Sequence, residues 1–170
     1  MEKLRQRAWW VLVLFAFVLV LFGLTDIAGG VAADPGITLG LSGMTLAEVE
    51  AAGPTAFRLY DFTTRTQGLA LLVMGGLLAA ILLVPYRRGE RWAGYAAWSV
   101  PAWAVAVLAM YLAAGTAADQ PPPPPMVSAP ITAVIGTVVL LLDRRRFRQD
   151  HATLDPAPDA ATAGSAWTGG

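Results

Sequence analysis

Four charged residues have the types and spacing for ligand chemistry: Asp26, Arg58, Asp61 and Arg65. Arg58, Asp61 and Arg65 stand at i, i+3 and i+7, so a helix places them on one face. An Arg guanidinium forks onto a carboxylate or a phosphate, which suits such a set to an anionic or zwitterionic ligand. The same residues also suit a structural role, an ion pair between Asp26 and Arg65 that fixes how two helices meet. The structural role is favoured, because all four flank apolar runs and none interrupts one. Charge in the middle of an apolar run is the stronger sign of function.

A second candidate site is aromatic. Trp98 and Trp103 flank Pro101, and Ser99 lies beside the kink that a proline imposes on a helix. A kink lined by aromatic rings is suited to a lipid or an isoprenoid-like molecule. Ordinary packing and interfacial anchoring use the same residues more often. A third candidate is the proline run 121–125, a stiff rod of about 15 Å in the polyproline II form. Between two apolar runs, a rigid connector is its expected role.

Other chemistry is narrowly bounded. The chain has no cysteine, so disulfides, thiolate metal sites and thiol redox chemistry are excluded from it. Its single histidine, His151, lies in a polar tail, far from any apolar run. No phosphate-binding loop, nucleophile elbow, metal-spacing motif or paired-carboxylate site occurs. The expected cofactor and metal content is therefore none. Ser99, Ser128, Thr132 and Thr137 are too sparse to line a conducting path.

The elements that must position these residues are four long apolar runs, at 8–24, 68–84, 92–115 and 126–142. The chain is 56% hydrophobic over 170 residues, with a mean hydropathy of +0.55. A soluble domain of this size does not need that much apolar surface, whereas a bilayer protein does. Four spans of about 20 residues occupy roughly half the chain. The expected spans are 8–28, 66–86, 92–115 and 126–142 within a domain covering 1–149, and residues 150–170 read as a disordered tail.

Charge sets the expected threading. Lys3, Arg5, Arg7, Arg87, Arg88, Arg91, Arg144, Arg145, Arg146 and Arg148 fall on one side of the runs. Only Arg58 and Arg65 fall on the other, while the acids divide evenly. This asymmetry places both termini in the cytoplasm. Short basic clusters beside spans serve topology and anionic-lipid contact, so no nucleic-acid partner is expected.

The start has two readings. A basic segment, an apolar run and Val31-Ala32-Ala33 match a cleavable secretory signal. The apolar run of about 17 residues is longer than an ordinary signal core and long enough to span. An uncleaved first span is favoured.

The outer loop, 29–65, opens at Gly29-Gly30 and Asp34-Pro35-Gly36. Thr45 with Glu48 forms a capping-box pattern, predicting a short helix over 46–52 that ends at Gly53-Pro54. The next helix is expected to start near Thr55, ahead of its membrane segment. Gly75-Gly76 with Ala79-Ala80, and Ala102, Ala106, Ala109 and Ala113 on one face of the third run, allow close helix contact.

The inner hairpin Tyr86-Arg87-Arg88-Gly89-Glu90-Arg91-Trp92-Ala93, followed by Trp98 and Pro101, resembles a pattern in small bacterial four-span membrane proteins. The general layout resembles DoxX-like proteins. That resemblance implies a four-helix bundle and transfers no catalytic residue. Sterol-isomerase bundles of four spans depend on intramembrane acids and histidine, which these runs lack.

The reading is an all-α, four-helix transmembrane bundle with a short extracytoplasmic helix in the first outer loop, in a bacterial cytoplasmic membrane. The leading functional expectation is a non-enzymatic scaffold or accessory subunit. Its expected partners are membrane lipids and either further copies of itself or another membrane protein. The alternative is a lipid or small-lipophile binding protein with a pocket under the outer loop. A membrane-embedded enzyme ranks third. The candidate ligand contacts are Asp26, Arg58, Asp61, Arg65, Trp98 and Trp103.

Overall fold

The computed structural model describes residues 8–144, and every element among them is helical. Helices α1 (Trp9–Gly29), α4 (Pro54–Ile81), α5 with α6 (Arg91–Ala97 and Ser99–Ala114) and α7 (Pro124–Asp143) make up four candidate spans. Short helices α2 (Pro35–Ser42) and α3 (Leu46–Ala52) lie between the first two. Leu14, Phe17, Leu21, Leu69, Leu77, Met110 and Val134 are among many large apolar side chains left exposed on these helices. Lipid, not water, is the solvent in which such a surface is stable. The protein is an integral membrane protein with four spans. The tail 150–170, His151 and the basic residues at 3, 5, 7, 145, 146 and 148 lie outside the described residues.

The helices pack as two tight pairs, α1 with α4 and α6 with α7, joined where α7 meets α1. Close approach of α1 and α4 rests on glycine. A Cβ on Gly23 would come within 2.6 Å of the Gly68 carbonyl oxygen, and one on Gly75 within 2.9 Å of the Ala16 carbonyl. Both neighbours are backbone, so neither can swing away. The core is concentrated toward the end that carries the α4–α5 turn. There Leu12, Val13, Leu82, Tyr86, Ala93 and Ala97 are fully enclosed. This is called the basic end below, and the opposite one the loop end.

The capping box forms as its pattern requires. Thr45 and Glu48 satisfy each other's backbone amides and start α3. Gly53 and Pro54 then end α3 and open α4. The loop also holds a helix where Asp34-Pro35-Gly36 is expected only to break the chain. Asp34 accepts from the Gly36 amide and Pro35 occupies the first turn, so Asp34-Pro35 starts α2 instead of merely interrupting the chain.

Pro101 breaks the third span. Without its N–H the Ala97 carbonyl lacks a helical partner, and the helix is interrupted at Trp98. The proline rod is shorter than expected. Pro124 and Pro125 enter the first turn of α7, where proline is tolerated, leaving residues 121–123 as the connector. The Ala102, Ala106, Ala109 and Ala113 face is exposed and does not pack inside the bundle. Val100, Pro101 and Ala104 are the buried side of α6, with Val100 and Pro101 against Gly136.

Candidate functional site

The loop-end charges assemble into a backbone clamp. Asp61 and Arg65 are one helical turn apart on α4, and Arg65 Nε donates to Asp61 Oδ2 at 2.8 Å. Arg65 Nη1 donates to the carbonyls of Ile27 at 2.6 Å and Ala28 at 3.1 Å. These carbonyls belong to the last turn of α1, where a helix leaves its acceptors without partners. Asp61 Oδ1 accepts from the Val31 amide at 3.0 Å, in the 3-10 turn that follows. One ion pair thus holds both sides of the bend that ends the first span.

Gly30 sits at the centre of the clamp with φ +56°, in the left-handed region. A side chain there would overlap the Asp61 carboxylate, since its Cβ would lie 2.7 Å from Asp61 Cγ and 3.0 Å from Arg65 Nη2. Backbone conformation and space both demand glycine.

The other two members of the expected cluster stand apart from the clamp. Asp26 is partly buried where α1 crosses Gly68, and it forms no ion pair among the described residues. The expected Asp26–Arg65 pair does not form, because the Arg65 guanidinium is taken up by Asp61 and two carbonyls. Arg58 is exposed, with no hydrogen bond or ion pair among the described residues. Spacing correctly places Asp61 and Arg65 together. It carries no information about the α1 carbonyls, which outcompete Asp26 for the guanidinium.

The aromatic candidates also separate. Trp98 is exposed at the helix break, and Trp103 is partly buried against the core. Neither lines a cavity under the outer loop. The cavity there is about 370 Å³, between α2 and α3, and is lined by Pro35, Gly36, Leu39, Thr45, Leu46 and Ala47. The loop is lashed down on two sides. Thr38 and Tyr60 hydroxyls meet at 3.3 Å, and the Ala117 amide donates to the Gly40 carbonyl at 2.9 Å. Pro123 lies so close to Gly40 that a Cβ would meet its ring at 2.8 Å.

Two features escape sequence reasoning. One is a groove of about 740 Å³ between the second and third spans, lined along α4 by Leu69, Val73, Met74 and Leu77 and on the other side by Ala96 and Ser99. The α4 wall runs from Thr66 to Ile81, whereas the third span contributes only residues near its start. The two spans therefore diverge from their shared turn. The other is a buried bond at the basic end, in which Tyr86 donates to Asp143. The sequence signal for it was weak, an acid and a phenol each read as a span end.

Among the described residues no three acidic or histidine side chains converge as metal ligands do. At the loop end, Asp61 and Arg65 hold backbone in place. No protein-family model, curated protein or solved structure matches the chain, so its kinship rests at the level of a four-span helical membrane protein.

Proposed function

We propose that this protein is a non-enzymatic scaffold or accessory subunit that seats a transmembrane helix of another chain between its second and third spans. The observation that carries the reading is the gap between α4 and α6. The second and third spans are joined by a short turn, yet α4 and α6 barely touch along their length. The groove between them is apolar and open to the membrane, and a helix of about 10–12 Å diameter is the natural filler of such a gap. Small residues favour a helix over a lipid chain. Ala70, Ala96 and Ser99 stand among the residues that line the groove. Such positions offer a lipid chain little surface but admit a helix backbone closely.

The proposed setting is a bacterial cytoplasmic membrane with both termini inside, which the basic hairpin supports.

The chain has no cysteine, so single introduced thiols report contact cleanly. Val73→Cys and Ser99→Cys, both in the groove lining, should cross-link to another chain in native membranes, and Phe17→Cys on the exposed side of α1 should not. Ala70→Leu, which bulks the groove wall, should abolish the Val73→Cys adduct while the monomer still folds. Absence of any adduct at Val73 and Ser99 would sink the reading.

The almost wholly apolar groove lining also supports a second reading, a lipid or small-lipophile binding protein. Native mass spectrometry separates the two. A retained small mass on a monomer favours the second reading, and an added protein mass the first.

A further inference from the structure

The turn between α4 and α5 packs three arginines and one acid into five residues, Arg87 to Arg91. Glu90 is engaged, accepting the Trp92 indole N–H at 2.6 Å. Arg87 lies over the Trp9 ring, 5.4 Å from its centroid. Arg88 and Arg91 are exposed and form no ion pair among the described residues. Beside them Trp92, Tyr95 and Trp98 are all exposed, Tyr95 by 79%. At 1.5 Å per residue, Tyr95 lies about 6 Å further along the helix than Arg91. Two cations thus stand above a set of amphipathic rings at the depth where a span enters the headgroup layer.

We propose that Arg88 and Arg91, with Trp92 and Tyr95, form a binding site for an anionic glycerophospholipid at the basic end of the bundle. The guanidinium forks meet the phosphate, and a planar fork matches its oxygens in pairs. The Tyr95 hydroxyl lies at glycerol depth, and the acyl chains run along the exposed rings. Charge decides the lipid class. A zwitterionic headgroup carries its own ammonium, which competes with arginine for the phosphate, whereas an anionic one leaves its charge to the protein. An acidic protein segment would satisfy the arginines but would leave the rings without a partner, so a lipid is favoured. The site is separate from the groove and does not depend on what fills it.

The test uses the full chain in bilayers of equal phosphatidylglycerol and phosphatidylcholine. After gentle extraction, native mass spectrometry counts each retained lipid. The wild type should retain phosphatidylglycerol at least about threefold over phosphatidylcholine, as expected of phosphate held by two charge-assisted contacts. Arg88→Gln with Arg91→Gln should bring the ratio near one, and the Lys pair should keep part of it. Should the Gln pair fail to insert, salt decides on the wild type. Raising it from about 0.1 M to about 1 M shortens screening from about 10 Å to about 3 Å and should erase the preference. Equal retention by the wild type, a preference that survives the Gln pair, or one that survives high salt would each overturn the proposal.

Discussion

Tyr86 donates its phenolic hydrogen to Asp143 Oδ2 at 2.9 Å across 57 positions of sequence, and both residues are buried. The bond ties the end of the second span to the end of the fourth, over the Trp9 and Leu12 end of the first. A buried carboxylate that loses a donor keeps its desolvation penalty. Tyr86→Phe preserves shape and removes only the hydroxyl, so it should destabilise the bundle by about 1–3 kcal/mol. Thermal unfolding in detergent measures this. An unchanged midpoint would mean that the bond adds nothing to the fold.

The clamp predicts a pattern of coupling. Asp61→Asn and Arg65→Gln should be non-additive by more than about 0.5 kcal/mol, the level at which contacting residues depart from independence. Asp26→Asn with Arg65→Gln should couple less than that pair, since Asp26 does not contact the guanidinium. A double-mutant cycle on unfolding free energy gives both values. Stronger coupling at Asp26 would restore the pairing expected from sequence and discard the clamp.

Adjacent glycines on α4 should behave in opposite ways. Gly75→Ala drives a methyl into the α1 backbone and should cost about 1–3 kcal/mol, as overpacking does. Gly76→Ala meets open space and removes a flexible residue from a helix, so it should be neutral or stabilise by about 0.5–1 kcal/mol. Unfolding of each purified variant in the same detergent checks the contrast. Equal losses would contradict the α1–α4 register.

Much of this fold is legible in sequence because membrane spans announce themselves through composition. The capping box at Thr45 and Glu48 and the break at Pro101 are equally local, and each is formed by residues within a turn of one another. What sequence hides is the choice among partners that are distant along the chain. Arg65 had an acid available in Asp26 and took the carbonyls of Ile27 and Ala28 instead. The exposed alanines of α6 satisfy the pattern of a packing face, yet Val100 and Pro101 meet α7 at Gly136, and Ala104 is buried on the same side. Small residues mark where helices can approach, and several faces of this chain carry them. Only the three-dimensional arrangement decides which face is used and which is left open.

The outer loop offers a pH prediction outside the spans. The Thr45 backbone amide, and then its hydroxyl, donate to Glu48 and hold its carboxyl below the ordinary Glu range. A depressed value in the folded state means that the ionised form is the one stabilised. The contribution of Glu48 to α3 is therefore fully present above the unfolded pKa, and it fades as pH falls through the lower, folded one. Carboxyl chemical shifts of Glu48 should titrate below the ordinary range of a glutamate side chain. Thr45→Ala removes the hydroxyl and the reciprocal cap, so it should bring Glu48 back toward the ordinary glutamate range and fray α3 at neutral pH. If Glu48 titrated in the ordinary glutamate range in the wild type, the capping box would not persist in solution, and the start of α3 would need another explanation.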